Sequence, residues 1–568
     1  MSSPEPDGQL TGEQADERFL KTPARLLLRK SENLDDVYLK LQYKLKLLHN
    51  DKYEIKQKVF SFKRNTNELL AATVDRLKLN VAQFVLQVKE KGKKKKRSAD
   101  QAGDLVLNDS QPGSLLDVQL IYGNEVNLLE QKNLKLGDLF KFDEHHLKLV
   151  INGVDYAIFF NSQFISSCKL PKVVLNDYEI IPSVQIDFNE ANLEPHYSWW
   201  KKIDRKHPKY FELKDAGKLK TDYHGSLLQL GDQLIYTPTK EDIGDELIFK
   251  VTARLNEQEN LETHEVKSKK VTRSPDYCPF EARHELTSSK VERADEFRLV
   301  SYNILADMYS DSKTAREELF QHCPPQYLTM DYRKHLLLKE LLGYNADLIC
   351  LQEVDCSVFD KHLVPAFKLK TNLVGLLAAK EKMQEGCAIF YDQTRFRLVD
   401  QSDLRISELV KKECFGELHQ QINANFQLKG RWTVRPNVLQ TAALECVDGA
   451  ESAGKRTNRV VLVFNTHFYF HPDSDHIRLL QACMIMKEIE DQMDKYSALY
   501  DSVTPVLAGD FNSCPEFGVY KLFTEGKVDS ELKDWKSCTC LPISLLLAVF
   551  LPSSNLRLSR PLFFTRPK

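Results

Sequence analysis

The sequence predicts a mixed α/β domain in the C-terminal half of the chain, preceded by a mainly β accessory region. In the C-terminal half, apolar strand-like runs at 297–305, 346–354 and 459–470 alternate with helical patterns such as 476–493. Alternation of this kind is typical of α/β folds. Residues 104–275 instead contain short alternating runs broken by Gly, Pro, Asn and Asp, which favours a β-sandwich. These two patterns place a domain boundary near residue 276.

Length and composition limit the class of protein. The chain has 568 residues, enough for roughly two to four domains. Hydrophobic residues make up 42% and charged residues 28%, so the chain can bury several cores. Its net charge of −2 excludes a protein that holds nucleic acid by bulk charge alone. Twelve cysteines form no CxxC pair, and Cys350 lies in an apolar run, which favours a reducing compartment without structural zinc.

The N-terminal region is predicted to comprise a polar and basic leader (1–39) and a small α+β module (40–90). The acidic start lacks the basic-then-apolar order of a secretory signal peptide. The basic, leucine-rich residues 18–30 are compatible with an organelle-targeting helix or with a lead-in to the first domain, and composition favours the lead-in. The module ends in a helix whose single apolar face is formed by Leu70, Val74, Leu77, Val81, Val85 and Val88.

A basic run follows this helix and predicts a linker over residues 91–103. The first hundred residues carry 22 Lys or Arg against 14 Asp or Glu, and most of that surplus falls between Lys89 and Arg97. Such a run cannot pack in a core and must be solvated. It either holds phosphates electrostatically or is a flexible surface linker, and the sequence leaves both interpretations open.

Within the β region, residues 197–202 place one tyrosine and two tryptophans beside two lysines, in the order Tyr-Ser-Trp-Trp-Lys-Lys. Aromatic side chains next to bases can stack unpaired nucleobases. A tryptophan in a sandwich strand is more often part of the core, and we favour that interpretation here.

Four apolar strands of the C-terminal half end on polar residues. The polar ends are Asn303, Gln352 with Glu353, Asn465 to His467, and Gly509 to Asn512. Strand carboxyl ends are where α/β sheets place their ligands, so we expect these residues to converge, although each alone is more often an ordinary turn residue. Their donors are hard oxygens and an imidazole, which suit Mg²⁺ or Mn²⁺ rather than zinc-thiolate chemistry. Hydrolysis at a phosphorus centre matches this set.

The segments SYNILAD (301–307), CLQEVD (350–355), NTHFYFHP (465–472) and GDFNSCP (509–515) resemble the motifs of the exonuclease–endonuclease–phosphatase superfamily, the DNase I-like fold. The stretch 331–355 and the segment YTPTKEDIG (236–244) are similar to its deadenylase branch, in particular to the group that combines 2′,5′-phosphodiesterase and mitochondrial poly(A) deadenylase activities. The resemblance runs from about residue 40 to Trp535. It implies a four-layer α/β/β/α sandwich for a catalytic domain spanning 276–535.

The resemblance also implies roles for individual residues. Glu353 would be the main Mg²⁺ ligand, with Mn²⁺ as a possible substitute, and Asn303 would lie near the same ion. His467 would hydrogen-bond the scissile phosphate, Asp510 would position or activate the attacking water, and Asn512 would fix the phosphate. The implied reaction releases AMP from poly(A) 3′ ends and from 2′,5′-oligoadenylates. The implied compartment is the mitochondrial matrix, with the cytoplasm as the alternative.

The sequence departs from the family after Asp534 and Trp535. Family members continue with further strands and a terminal Ser-Asp-His motif, which is absent from residues 536–568. We therefore expect the sandwich to lack its last strands and to expose a sheet edge. This leaves three hypotheses: an active enzyme of this type, another phosphoesterase of the superfamily, or a catalytically inactive isoform that binds adenylate-rich RNA. The apolar part of the tail, 541–551, is too short to span a bilayer and contains Pro542, so no membrane association is expected.

Overall fold

The computed structural model describes residues 24–30, 36–49, 52–96, 116–123, 126–143, 146–160, 164–187, 194–222, 225–254, 260–293, 295–381, 383–447, 458–526, 528 and 532–537. The chain divides into two compact units. Unit one comprises Met1–Val174 and Ile180–Val271, and unit two comprises Leu175–Glu179 and Thr272–Lys568. The boundary between them thus lies a few residues before the position expected from the sequence.

The described part of unit one contains a seven-stranded sheet in the order β3-β2-β1-β7-β6-β4-β5. Its strands are β1 (Ala24–Lys30), β2 (Asp36–His49), β3 (Lys52–Asn65), β4 (Val118–Tyr122), β5 (Val126–Asn127), β6 (Leu147–Ile151) and β7 (Val154–Phe160). Helix α1 (Leu70–Lys96) packs on this sheet with the predicted apolar face, because Leu70, Val74, Leu77 and Val81 are buried in the sheet's core.

The predicted leader and the predicted 40–90 module do not form separate structural pieces. Strand β1 lies within the predicted leader and pairs in parallel with β7, where Ala24 is opposite Tyr156. Strand β1 is therefore consistent with the favoured interpretation of residues 18–30, a lead-in to the first domain. Local periodicity cannot reveal such a pairing, because the partner strand lies more than a hundred residues away. Helix α1 also continues past Val88 into the basic run, since lysine and glutamate are good helix formers; residues 97–103 lie outside the described residues.

The rest of unit one contains a two-stranded sheet, β8 and β9, and a five-stranded sheet in the order β11-β12-β10-β13-β14. The bounds are β8 (Phe164–Lys169), β9 (Ser183–Asp187), β10 (His196–Lys202), α2 (Tyr210–Asp215), β11 (Leu219–Asp222), β12 (Gly225–Gly231), β13 (Glu246–Arg254) and β14 (Asn260–Lys270). Trp199 is fully buried between Tyr236 and Phe249, so it is a core residue, as favoured. Trp200 points to the opposite face, where Lys220 Nζ lies 5.1 Å from its ring centroid.

Two four-stranded sheets form the centre of unit two among the residues described there, in the orders β15-β16-β18-β17 and β19-β20-β21-β22. Their bounds are β15 (Leu299–Asn303), β16 (Leu348–Asp355), β17 (Leu373–Ala379), β18 (Glu385–Asp392), β19 (Phe396–Arg405), β20 (Val438–Cys446), β21 (Arg459–His467) and β22 (Ser502–Asp510). The pairs β15–β16 and β21–β22 are parallel, and the other neighbours are antiparallel.

Helices cover the outer faces of both sheets. Their bounds are α3 (Phe280–Glu285), α4 (Asp307–Ser310), α5 (Pro325–Leu328), α6 (Met330–Gly343), α7 (Cys356–Val358), α8 (Val364–Lys370), α9 (Ile406–Leu409), α10 (Gly416–Ala424), α11 (Phe426–Thr433), α12 (Asp475–Ser497) and α13 (Gly518–Glu525). A π-helical turn, Phe359–Leu363, joins α7 to α8.

The two sheets of unit two pack face to face, which confirms the predicted α/β/β/α sandwich. Their shared core contains Cys350 and Ile389 from the first sheet and Leu444 and Val463 from the second. The outer face of the first sheet packs against α6 and α8, and that of the second packs against α9 to α13. Each sheet thus has one helical layer and one sheet layer as neighbours.

The end of the described chain is anchored in the second half of the sandwich. Trp535 is buried in the same core as α12 and α13, and Asp534 Oδ2 accepts the Gly518 N–H over 2.7 Å. In the described part of unit two, β22 is the edge strand of its sheet and is mostly half-buried. The segment 538–568 lies outside the described residues. Among the helices described, none is long and apolar enough to cross a bilayer.

Candidate active site

The polar ends of β15, β16, β21 and β22 converge, as the sequence predicts. Asn303 and Gln352 are paired at the ends of the parallel strands β15 and β16, and His467 and Asp510 are paired at the ends of β21 and β22. Because parallel strands end on the same edge of a sheet, each pair presents its side chains in one direction. The face-to-face packing of the two sheets then brings the two pairs together.

Asn303 joins the two carboxylates of the site. Its Nδ2 donates to Glu353 Oε1 over 2.9 Å and to Asp510 Oδ2 over 2.8 Å. Its Oδ1 accepts the Leu305 N–H over 2.9 Å. This hydrogen bond orients the amide so that its NH₂ group faces the carboxylates. One amide thus uses both of its N–H bonds to hold two acidic groups that would otherwise repel each other.

Glu353 reaches the site because its strand is irregular. The pairing of β16 with β18 shifts register between Leu351 and Val354, and Glu353 lies in this bulge with φ +55°. Bulges redirect side chains next to active sites. Glu353 is 8% exposed, and its Oε2 accepts the Ala306 N–H over 3.1 Å. Burial raises the pKa of the Glu353 carboxyl, while the hydrogen bond from Asn303 acts in the opposite direction.

His467 lies beside both carboxylates and is held neutral. Its Nε2 is 3.9 Å from Glu353 Oε1 and 3.9 Å from Asp510 Oδ2. Burial, together with the nearby charge of Lys380, lowers the pKa of His467 to about 4. Both neighbours within hydrogen-bond range, Asn512 Nδ2 at 2.9 Å and Lys380 Nζ at 3.4 Å, can only donate. An uncharged imidazole is therefore the form that this environment favours.

Asn512 is positioned by a tight turn after β22. Its backbone has φ +46°, a conformation that asparagine adopts more readily than most residues, and its N–H donates to Asp510 Oδ1 over 2.9 Å. Its Nδ2 donates to the Phe468 carbonyl over 3.1 Å as well as facing His467. The predicted residues Asn303, Glu353, His467, Asp510 and Asn512 thus form one connected group.

Sequence reasoning missed Lys380, Glu385 and Tyr309, which lie next to this group. Lys380 Nζ is 2.7 Å from Glu385 Oε1, and the two side chains are 6% and 0% exposed. Tyr309 OH donates to the same carboxylate oxygen over 3.3 Å. No local signal distinguishes these residues, because Lys380 stands in a charged stretch that resembles an ordinary solvated loop.

A buried amide network joins the two sheets beneath the site. Asn465 Nδ2 donates to the Leu351 and Ala388 carbonyls over 3.0 and 3.1 Å, and Gln352 Nε2 donates to Asn465 Oδ1 over 2.8 Å. Asn465 and Gln352 are almost completely buried. Satisfied polar networks of this kind specify a unique arrangement, so they fix the position of the catalytic strands across the sandwich.

The donor set fits a divalent cation bound mainly by oxygen. Glu353 and Asp510 provide two carboxylates, and no lysine or arginine side chain in the described part of the chain lies within 4 Å of either; the neutral ring of His467 does. Among the described residues, no group of three His, Cys, Asp or Glu side chains forms a closed metal cage. Mg²⁺ characteristically uses one or two carboxylates and completes its shell with water and substrate phosphate, so Glu353 is the residue that would hold it.

Comparison with known proteins identifies the family of the chain. The sequence profile of the Endonuclease/Exonuclease/phosphatase family matches residues 300–565. The chain is 30% identical over 485 residues to 2′,5′-phosphodiesterase 12 of Mus musculus, covering 84% of this chain and 76% of that protein. It is 27% identical over 249 residues to the CCR4-Not complex 3′-5′-exoribonuclease subunit Ccr4 of Candida albicans, covering 41% of this chain and 29% of that protein.

Among solved structures, ANGEL2, a 2′,3′-cyclic phosphatase, in complex with adenosine-2′,3′-vanadate, is 23% identical. The match covers 47% of this chain and 64% of that chain, with a TM-score of 0.34. The coverage and identity shared with the mouse relative, together with the family profile, establish the classification. The chain belongs to the Endonuclease/Exonuclease/phosphatase family, a family of nucleases and phosphatases.

Proposed function

We propose that this chain is a Mg²⁺-dependent phosphodiesterase that releases AMP from the 3′ ends of adenylate-rich RNA and from 2′,5′-linked oligoadenylates. The observation that carries the proposal is the hydrogen-bonded convergence of Glu353 and Asp510 on Asn303, directly beside His467. The similarity to relatives named as a 2′,5′-phosphodiesterase and a 3′-5′-exoribonuclease supports the choice of phosphodiester substrates. Mn²⁺ is proposed as a substitute for Mg²⁺, because it accepts the same oxygen donors.

Glu353 and Asp510 have different tasks in this proposal. Glu353 would hold the cation, which when bound neutralises phosphate charge and polarises a phosphoryl oxygen. Asp510 has both oxygens fixed, Oδ1 by the Asn512 N–H and Oδ2 by Asn303. A carboxylate with a fixed orientation can direct an attacking water at the phosphorus and accept its proton.

His467 and Asn512 would bind the scissile phosphate. A phosphoryl oxygen is an acceptor and can replace His467 Nε2 as the partner of Asn512 Nδ2. The neutral ring can then carry its proton on Nε2 and donate to the same phosphate, while Nδ1 accepts from Lys380 Nζ, now 3.4 Å away. Two donors aimed at one phosphate would stabilise the charge that develops during hydrolysis.

The experiment compares two linkages on the purified full chain. Triadenylate with 2′,5′ linkages and triadenylate with 3′,5′ linkages are incubated with Mg²⁺ or with EDTA, and released AMP is measured. The variant Asp510→Asn removes the acceptor for the water proton, whereas Asp501→Asn makes the same change at the exposed residue immediately before the same strand. We expect Mg²⁺-dependent release that Asp510→Asn abolishes and Asp501→Asn retains.

Two results would contradict the proposal. Equal release by Asp510→Asn and by the unmodified chain would remove Asp510 from the mechanism. Binding of the triadenylates without any release of AMP would instead support the inactive adenylate-binding alternative. The ratio of the two release rates decides which linkage is preferred.

The mitochondrial matrix is the proposed compartment, with the cytoplasm as the alternative. The proposal rests on the resemblance of the motifs to the group with mitochondrial poly(A) deadenylase activity. Fractionation of cells that express the full chain with a C-terminal epitope, followed by protease protection of isolated mitochondria, tests it. Recovery in the cytosolic fraction alone would contradict the matrix assignment.

A further inference from the structure

We propose that Arg333 is a positioning residue that holds the turn after β15 and thereby sets how tightly the site binds its divalent cation. This inference rests on the proposed function only in that Glu353 is taken to hold a cation. Arg333 lies on α6, in the Asp-Tyr-Arg segment that begins that helix, and takes no part in the chemistry described above.

The guanidinium of Arg333 is directed at backbone oxygens of this turn. Its Nη1 donates to the Ile304 carbonyl over 2.8 Å, and its Nη2 donates to the Leu305 carbonyl over 2.8 Å. The same Nη2 donates to Ser310 Oγ over 3.0 Å, and Nε donates to the Leu328 carbonyl over 2.7 Å. Within the described residues, no carboxylate forms an ion pair with Arg333, and its hydrogen bonds go to three backbone carbonyls and one hydroxyl.

The opposite side of the turn presents N–H groups to Asn303 and Glu353. The Leu305 N–H donates to Asn303 Oδ1 over 2.9 Å, and the Ala306 N–H donates to Glu353 Oε2 over 3.1 Å. The carbonyls that Arg333 binds and the N–H groups that face the site belong to the same two peptide units, Ile304–Leu305 and Leu305–Ala306. A rotation of these units would therefore release both sets of contacts together.

Leu305 makes this turn costly for the chain to adopt. Its φ is +58°, in the left-handed region that side chains other than those of glycine, asparagine and aspartate seldom occupy. Residues in such conformations persist when the surrounding structure holds them. Arg333 Nη1 and Nη2 bind the carbonyls of Ile304 and of Leu305 itself. A planar guanidinium can hold both carbonyls at once and so keep the turn in this conformation.

The consequence for the cation follows from the second oxygen of Glu353. The Ala306 N–H fixes Oε2 and so limits the orientations of the carboxylate, as Asn303 does for Oε1. Partners that orient a metal ligand in this way typically change metal affinity about 10–100-fold when they are removed. We expect Arg333→Lys to weaken cation binding about tenfold, because one ammonium cannot hold both carbonyls in the same geometry.

The test measures Mn²⁺ alone, without substrate. Free Mn²⁺ is titrated into the full-length chain and followed by electron paramagnetic resonance, for the unmodified chain, Arg333→Lys and Arg395→Lys. Arg395 is the control, since its guanidinium also binds two carbonyls, those of Arg293 and Glu296, away from the site, and a lysine there retains a charge for its third partner, Asp347. We expect the Mn²⁺ dissociation constant to rise about tenfold for Arg333→Lys and to stay unchanged for Arg395→Lys.

A second variant separates the turn from general folding. Asparagine at position 305 favours the left-handed conformation that leucine does not, so Leu305→Asn combined with Arg333→Lys should recover most of the Mn²⁺ affinity. A folded Arg333→Lys with unchanged Mn²⁺ affinity would overturn the proposal, as would a loss that Leu305→Asn does not relieve. If Arg333→Lys does not fold, recovery of folding and Mn²⁺ binding in the double variant supports the proposal, and failure of both variants to fold overturns it.

Hydrogen–deuterium exchange distinguishes failure of this inference from failure of the proposed function. Peptides covering 303–307 should exchange faster in Arg333→Lys than in the unmodified chain or in Arg395→Lys, whether or not a cation is present. If the unmodified chain binds no Mn²⁺, the proposed metal dependence fails. In that case, unchanged exchange of these peptides overturns the role of Arg333 in holding the turn, and faster exchange supports it.

Discussion

Asn303 and Asp510 are 207 residues apart in the sequence, yet Asn303 Nδ2 donates to Asp510 Oδ2 over 2.8 Å. Asn303 ends a strand of the first sheet of the sandwich, and Asp510 ends a strand of the second. This hydrogen bond therefore joins the two halves of the catalytic domain at the point where the chemistry is proposed.

Replacing Asn303 with aspartate should abolish activity while leaving the fold intact. The change substitutes a third carboxylate for the donor that Glu353 and Asp510 share, so the acids would repel each other. We expect AMP release to fall by about 10²–10³-fold, the effect of losing one well-placed polar group at an active site. Steady-state kinetics checks the loss. Asn423→Asp, on the exposed face of α10, is the control and should be fully active.

Removing the ammonium of Lys380 should destabilise unit two strongly. In Lys380→Met, the fully buried carboxylate of Glu385 would lose its ionic partner at 2.7 Å, which typically costs about 3–5 kcal/mol of folding free energy. Lys339→Met removes a partner at the same 2.7 Å, but that pair with Glu281 is 38% and 39% exposed, so we expect a cost below about 1 kcal/mol. Thermal unfolding of both variants measures the difference. An equal decrease in Tm for the two would show that burial does not determine the cost.

A methyl group at Gly509 should disturb the ends of β21 and β22. A Cβ there would lie 2.4 Å from the Thr466 carbonyl oxygen, closer than real contacts allow, so the backbone beside His467 and Asp510 must shift. We expect Gly509→Ala to lose about 10²-fold or more in kcat, because small displacements at a catalytic centre are costly. Gly430→Ala is the control, since a Cβ in that helix meets nothing within 4 Å and should keep activity and raise helix stability. Full activity of Gly509→Ala would contradict the geometry.

Acid should destabilise the fold through buried histidines. His476 is fully buried, and burial lowers its pKa from 6.5 to about 4. Between these pH values the unfolded chain therefore binds a proton that the folded chain does not. The contribution of the neutral His476 to the free energy of unfolding is fully present above pH 6.5 and is lost as the pH falls towards 4. The slope is about 1.4 kcal/mol per pH unit for one group.

Urea unfolding at pH 7, 6 and 5 checks this pH dependence. The variant His476→Gln cannot take up the proton and should show a shallower decline than the unmodified chain. His322→Gln, at an exposed position, should decline like the unmodified chain. Identical pH dependence in His476→Gln and the unmodified chain would show that His476 does not contribute.

The convergence of the candidate-site residues could be predicted because each lies at a strand end with its own local signal. Asn303, Glu353, His467 and Asp510 follow apolar strands, and the ends of parallel strands must meet at one edge of a sheet. The layer order of unit two could be predicted from the resemblance of the motifs to a known family. What the sequence does not contain is the geometry that makes the site work, such as the bulge that redirects Glu353.

Other features could not be predicted because they depend on contacts between distant segments. The Lys380–Glu385 pair becomes distinctive only when both side chains are buried beside His467. The leader and the first module were assigned separately because nothing local indicates that β1 pairs with β7. Arg333 likewise appears in the sequence as an ordinary helix residue, and its role depends on carbonyls nearly thirty positions earlier.

The dependence of AMP release on Mg²⁺, measured in the unmodified chain and in Glu353→Gln, tests whether Glu353 holds a cation that the reaction needs. Glu353→Gln keeps the side chain's size and can keep its hydrogen bond from Ala306, but it removes the acceptor for Asn303 and the charge that would hold the cation. The account predicts saturable activation by Mg²⁺ in the unmodified chain, no release in EDTA, and a loss of about 10²–10³-fold in the variant at any Mg²⁺ concentration. Equal rates in EDTA and Mg²⁺, or an active Glu353→Gln, would contradict it.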